Sequence, residues 1–109
     1  MLRQIKHGEV IFKEIFNIPY TARKIQANGH VVVGKSETHN NDHRVAVRGD
    51  MSVYQRGETL YIDNEAAESK IYCPNPHRHS PVNLPKGKWG VQIAQEYDYI
   101  SMEKRNVQD

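Results

Sequence analysis

The apolar residues of this chain come almost entirely in short β-branched and aromatic runs with turn formers between them. That pattern constrains the fold more than any other feature. The runs cover residues 8–15, 29–37, 43–48, 51–55, 59–63, 70–73 and 88–99. Gly49-Asp50, Arg56-Gly57, Pro74-Asn75-Pro76 and Pro85-Lys86-Gly87 punctuate them as turns. Only residues 64–69 read as a helical turn, too short to act as a helix. About seven short strands at this spacing predict an all-β fold, a small single-domain antiparallel barrel or sandwich.

Alternation within the runs assigns faces. In the last run Trp89, Val91, Ile93, Gln95, Tyr97 and Tyr99 share one side, most of it core. His43, Val45 and Val47 share a face, and so do Val31, Val33, Lys35, Glu37 and His39. The expected domain covers residues 1–100. The polar, mixed-charge tail 101–109 is either a disordered end or an arm that docks on a partner.

A chain of 109 residues fits one domain with one modest core. Its net charge of +2 is mildly basic, well short of a dedicated nucleic-acid clamp, so RNA contact is permitted without being demanded. The lone cysteine, Cys73, excludes an internal disulfide and reads as a small buried apolar residue in a reducing compartment. No apolar run approaches the roughly 20 residues that span a bilayer, and the first residues hold no secretory h-region. The expected location is the cytoplasm.

Four of the 6 histidines fall into two clusters, Thr38-His39-Asn40-Asn41-Asp42-His43 and Pro76-His77-Arg78-His79. A three-residue hairpin loop at Asn40-Asn41-Asp42 would make His39 and His43 a closing pair, with Cβ atoms about 5 Å apart. His77 and His79 have the i, i+2 spacing that projects two imidazoles to one side of an extended segment. If the clusters meet, His39, His43, His77 and His79 are candidate ligands for one divalent transition metal such as zinc, whose bound water would ionise more readily. Without metal, His39, His43 and His79 could act as general acid and base. Lys88 and Tyr97 are auxiliary candidates, Arg44 and Arg78 candidates for binding a phosphoryl group, and Glu37 or Asp42 for orienting an imidazole. The bland readings are ordinary hairpin histidines, solvated loop acids and packed aromatics.

Several stretches together resemble a known family: Gly8-Glu9-Val10; Ser36-Glu37-Thr38-His39 with His43-Arg44-Val45; and His79-Ser80-Pro81-Val82-Asn83-Leu84-Pro85-Lys86-Gly87-Lys88-Trp89 followed by Gln95-Glu96-Tyr97. They are similar to a family of small uncharacterised proteins of bacterial and phage genomes. Its members carry Ser-Glu-Thr-Gly-His-x-His and His-x-Pro-Ile-x-Leu-x-Pro-Gly-x-Tyr…Gln-Arg-Glu-Tyr segments. Here the glycine before the first histidine and the arginine of Gln-Arg-Glu-Tyr are missing, and Asn40-Asn41-Asp42 widens the histidine gap. The resemblance implies positions for His39, His43 and His79 and a phage or bacterial setting, without a reaction.

These features lead to the expectation of a histidine-centred hydrolase acting on a phosphodiester, RNA first. The alternatives are a non-catalytic metal-binding module, or a phage structural or accessory protein that self-assembles or binds a larger assembly partner.

Overall fold

The computed structural model describes residues 2–34, 42–74 and 80–93. Among them lie ten strands and no helix: β1 (Gln4–His7), β2 (Val10–Glu14), β3 (Arg23–Ile25), β4 (His30–Gly34), β5 (His43–Ala46), β6 (Ser52–Arg56), β7 (Thr59–Asp63), β8 (Ser69–Tyr72), β9 (Val82–Leu84) and β10 (Lys88–Ile93). They form a six-stranded sheet, β1-β2-β10-β7-β6-β3, and a four-stranded sheet, β4-β5-β8-β9. All the pairings are antiparallel. The sheets do not close into a barrel, so of the two expected architectures the open, two-sheet one is realised.

The strand count exceeds the expected seven for local reasons. The predicted 8–15 strand is half of a hairpin. Gly8, at φ 64°, opens a two-residue turn that places His7 opposite Val10. Glycine suits that position because a side chain is disfavoured at positive φ. β3 and β9 are three residues each, too short for alternation to stand out. The supposed helical turn is a hydrogen-bonded turn in which Ala67 N donates to Asn64 O at 3.2 Å.

Both sheets contribute to one core. Val10, Phe12, Ile62, Trp89 and Val91 come from the larger sheet; Val33, Val45, Ile71 and Leu84 come from the smaller. Burying each of the larger side chains contributes roughly 1.5–3 kcal/mol before entropy is counted. Trp89 and Val91 share the buried face that alternation assigned to them, and so do His43 and Val45.

Two polar ties join the sheets at opposite ends of β9. Past its C-terminal end Asn64, fully buried after β7, donates from Nδ2 to Leu84 O at 3.2 Å and Pro85 O at 3.1 Å. Beside it, Trp89 Nε1 donates to Pro85 O at 3.0 Å. Before its N-terminal end, His7 at the close of β1 reaches Ser80 O. At the Trp89 end, Arg3 lies 5.4 Å over the Trp89 ring and clasps Glu14 through Nε and Nη2, each at 2.9 Å. Those side-chain hydrogen bonds, with a further one from the Arg3 backbone N–H, lower the Glu14 pKa from its ordinary 4.5 to about 2.

Candidate metal centre

His7 and His43 meet because each ends or begins a strand on the same side of the core. His7 closes β1 just before the Gly8 turn, and His43 opens β5 in the facing sheet. Each is only 3% exposed. On β4, Gly34 pairs with His43 across a register shift after Val32. A Cβ on Gly34 would stand 2.5 Å from Val10 Cγ2 and 3.5 Å from His43 Cδ2. Cys73, 5% exposed just beyond β8, completes the group.

The rings meet edge to face, with centroids 4.9 Å apart and Nδ1 to Nδ1 at 2.8 Å. Cys73 Sγ lies 3.8 Å from His43 Nδ1. One ligand atom from each of His7, His43 and Cys73 falls within 4.8 Å of the others, a grouping that can hold a metal ion. The outward nitrogens are also engaged. His7 Nε2 is 3.0 Å from Ser80 O, and His43 Nε2 is 3.5 Å from Glu9 Oε1. The Gly8 turn thus joins a ring, on His7, to a carboxylate facing the other ring, on Glu9.

Proton counting explains why this arrangement matters. A carbonyl oxygen only accepts, so His7 Nε2 donates to Ser80 O. With His7 neutral, its Nδ1 is then a lone pair, and the short approach requires a proton on His43 Nδ1. A metal ion, if bound, would take the place of that proton: His7 Nδ1, His43 Nδ1 and the Cys73 thiolate would hold it, leaving the Nε2–H groups to a carbonyl and a carboxylate. Metal-bound histidines almost always have such outer partners. In tetrahedral zinc geometry N···N is ~3.3 Å and N···S ~3.6 Å. The distances found are 2.8 and 3.8 Å, with the His7 and Cys73 ligand atoms within 4.8 Å, so holding zinc would require the two imidazole nitrogens to part by about half an ångström and the thiol to draw in.

The candidates from sequence divide accordingly. His43 is in the group. His39, His77, Arg78, His79 and Tyr97 lie outside the described residues, as does the tail 101–109. The expected pairing of His39 with His43 falls outside the described residues; within them the β4 partner of His43 is Gly34. Lys88 does not join the site. It starts β10 at the end opposite Ile93, the ladder partner of Val10, and its Nζ pairs with Glu65 Oε1 at 3.1 Å. Arg44 alternates with His43 along β5 and so projects from the other face of its sheet.

His7 and Cys73 were not among the expected ligands. His7 stands 36 positions before His43, and nothing local marks it except the turn glycine that follows. Cys73 is buried as expected, yet it lies against an imidazole rather than among apolar side chains alone. No helix among the described residues is long and apolar enough to cross a membrane.

Fold and site together define the class: an all-β domain of two antiparallel sheets with a buried His/His/Cys group between them. The chain belongs to the family described as a domain of unknown function, DUF8820, whose match spans residues 6–94. That stretch contains His7, His43 and Cys73. No curated protein and no solved structure matches the chain.

Proposed function

We propose that this domain binds one thiophilic or borderline transition-metal ion, zinc or copper, through His7 Nδ1, His43 Nδ1 and Cys73 Sγ. The observation that carries the reading is the buried Nδ1-to-Nδ1 approach of 2.8 Å beside a thiol, with both Nε2 atoms facing oxygen acceptors. Two imidazoles and a thiolate suit zinc, and the same set is found in trigonal copper sites. Binding requires a thiolate, so affinity falls as the pH is lowered. The ion links β1 of one sheet to β5 and the end of β8 in the other, which makes it a fold-stabilising element in the first place.

Hydrolysis of an RNA phosphodiester with His39 and His79 as acid and base is the catalytic extension that the histidine clusters support. A bacterial or phage setting in a host cytoplasm, implied by the sequence resemblance, is compatible with either role.

The test uses tag-free protein stripped by a chelator and titrated with Zn(II), Co(II) and Cu(II), read by native mass spectrometry and absorption. One ion per chain is expected, with a thiolate-to-cobalt charge-transfer band that Cys73→Ser abolishes and a stoichiometry that His43→Gln abolishes. Circular dichroism establishes that the variants stay folded. No stoichiometric uptake by wild type overturns the proposal and leaves a metal-free imidazole pair. Uptake unchanged in both variants also overturns it. Metal-dependent cleavage of an RNA panel, lost in His39→Ala/His79→Ala, would add the hydrolytic role; no cleavage leaves the binding module alone.

A further inference from the structure

The outward face of the six-stranded sheet has a chemistry that the metal site does not use. The register places Lys24, Tyr54, Tyr61, Gly90 and Lys13 in one row across β3, β6, β7, β10 and β2. Residues in such a row share a face, and this one is opposite Val53, Ile62, Trp89, Val91 and Phe12. Lys6, Ile11 and Gln92 form a parallel row on the same side, and Arg56, two residues beyond Tyr54, also projects there. The first row crosses five strands, about 19 Å at the usual strand spacing.

The two tyrosines are direct cross-strand neighbours and only half-buried. The Tyr61 ring lies beside Gly90, where an added Cβ would meet it at 3.7 Å, an ordinary packing contact. Next to Tyr54 the 15–22 connection borders an open cleft of about 280 Å³, lined by Ile18, Pro19, Tyr20, Tyr54, Asp63 and Lys88. Tyr20 is 97% exposed and Phe16 78%. Lys6, Lys13, Lys24 and Arg56 form no ion pair among the described residues. Among the described residues, Asp63 and Glu65 are acids bordering this face, and Glu65 is already paired with Lys88.

We infer that this face binds single-stranded nucleic acid, its bases stacking on Tyr54, Tyr61 and Tyr20 and its phosphates meeting Lys6, Lys13, Lys24 and Arg56. The charge decides between occupants. An apolar protein partner would leave four cations facing it without acceptors, whereas a phosphodiester strand supplies a negative charge at every step. Aromatic rings among cations on an open surface are the elements that hold single strands without base-edge readout. A flat sheet matches the splayed bases of a single strand better than the closed stack of a duplex.

Fluorescence anisotropy with labelled single strands of about 12 nucleotides tests this, using RNA and DNA of mixed sequence, and a duplex of the same sequence as comparison. Single strands are expected to bind more tightly than duplex. Tyr54→Ala and Tyr61→Ala should each weaken binding roughly tenfold, while the Phe variants retain it. Lys13→Gln/Lys24→Gln/Arg56→Gln should weaken it further and flatten the log–log salt dependence by about 0.7 for each phosphate left unneutralised. Lys70→Gln, on the other sheet, serves as the control and should change nothing. No binding at low salt overturns the inference. So does equal binding of duplex and single strand that the tyrosine variants leave untouched, which marks a general polyanion surface. Binding abolished only when the charges are removed, together with tight binding of a poly-glutamate peptide, assigns the face to an acidic protein partner and overturns it as well.

Discussion

The two polar ties that pin β9 differ in what their buried groups have been given. Past the C-terminal end of the strand, Asn64 Nδ2 offers two protons and meets two backbone carbonyls, Leu84 and Pro85. Before the N-terminal end, His7 spends one nitrogen on the Ser80 carbonyl and turns the other toward a second imidazole nitrogen and a thiol. The first tie gives both amide protons an acceptor, although Asn64 Oδ1 is buried with no hydrogen-bond partner among the described residues. The second must place a proton between two basic nitrogens, and a metal ion removes that need. Equal burial therefore does not mean equal role: the donors and acceptors around a polar group separate a structural tie from a ligand site.

The largest test of this contrast is metal itself. At a thousandfold excess over Kd, the ion should stabilise the folded chain by about 4 kcal/mol, seen as a raised melting temperature. Cys73→Ser should lose that gain and Asn64→Ala should keep it. Next comes Asn64→Ala, which strips two hydrogen bonds from buried carbonyls and should lower stability by about 3 kcal/mol in urea unfolding. Metal affinity should stay within twofold; a larger drop would show that the two ends of β9 are coupled.

Gly34→Ala should cost about 1–3 kcal/mol, because its new methyl crowds buried Val10. Its contact with the His43 ring would be an ordinary 3.5 Å, so metal binding should stay near wild type, and a large loss of affinity would show that packing at Val10 is coupled to ligation. The smallest effect belongs to Glu14. With its pKa lowered from 4.5 to about 2, its pairing with Arg3 stabilises fully above pH 4.5 and fades as pH falls through 2. Acid titrations of wild type and Glu14→Gln should therefore differ most above pH 4.5 and converge toward pH 2. A constant offset across that range would mean the pair stabilises by packing alone.

Much of the fold is legible in short-range pattern. The β-branched runs, the Arg56-Gly57 turn, the Trp89/Val91 face and the His43/Val45 face all rest on neighbours within a few residues. The first run departs from expectation at Gly8, where one glycine converts a strand start into a hairpin turn. β3 and β9 are hidden because three residues carry too little alternation to distinguish a strand from a loop.

The site is legible only in part. His43 stands out through its cluster, since clustering is a property of the linear chain. His7 and Cys73 do not, because the 36 positions from His7 to His43, and the 30 from His43 to Cys73, hide an approach of a few ångströms. Short-range pattern suffices to establish that the chain is all-β, where its strands alternate, and that His43 shares a face with Val45; that His43 is buried is known only from the tertiary structure. Long-range packing is needed to establish that the sheets stay open and share one core, which imidazole faces His43, and that Cys73 completes the group. Those outcomes depend on which strands pair across long loops. Local propensity and spacing carry no information on that, whereas ladder hydrogen bonds and core packing determine it.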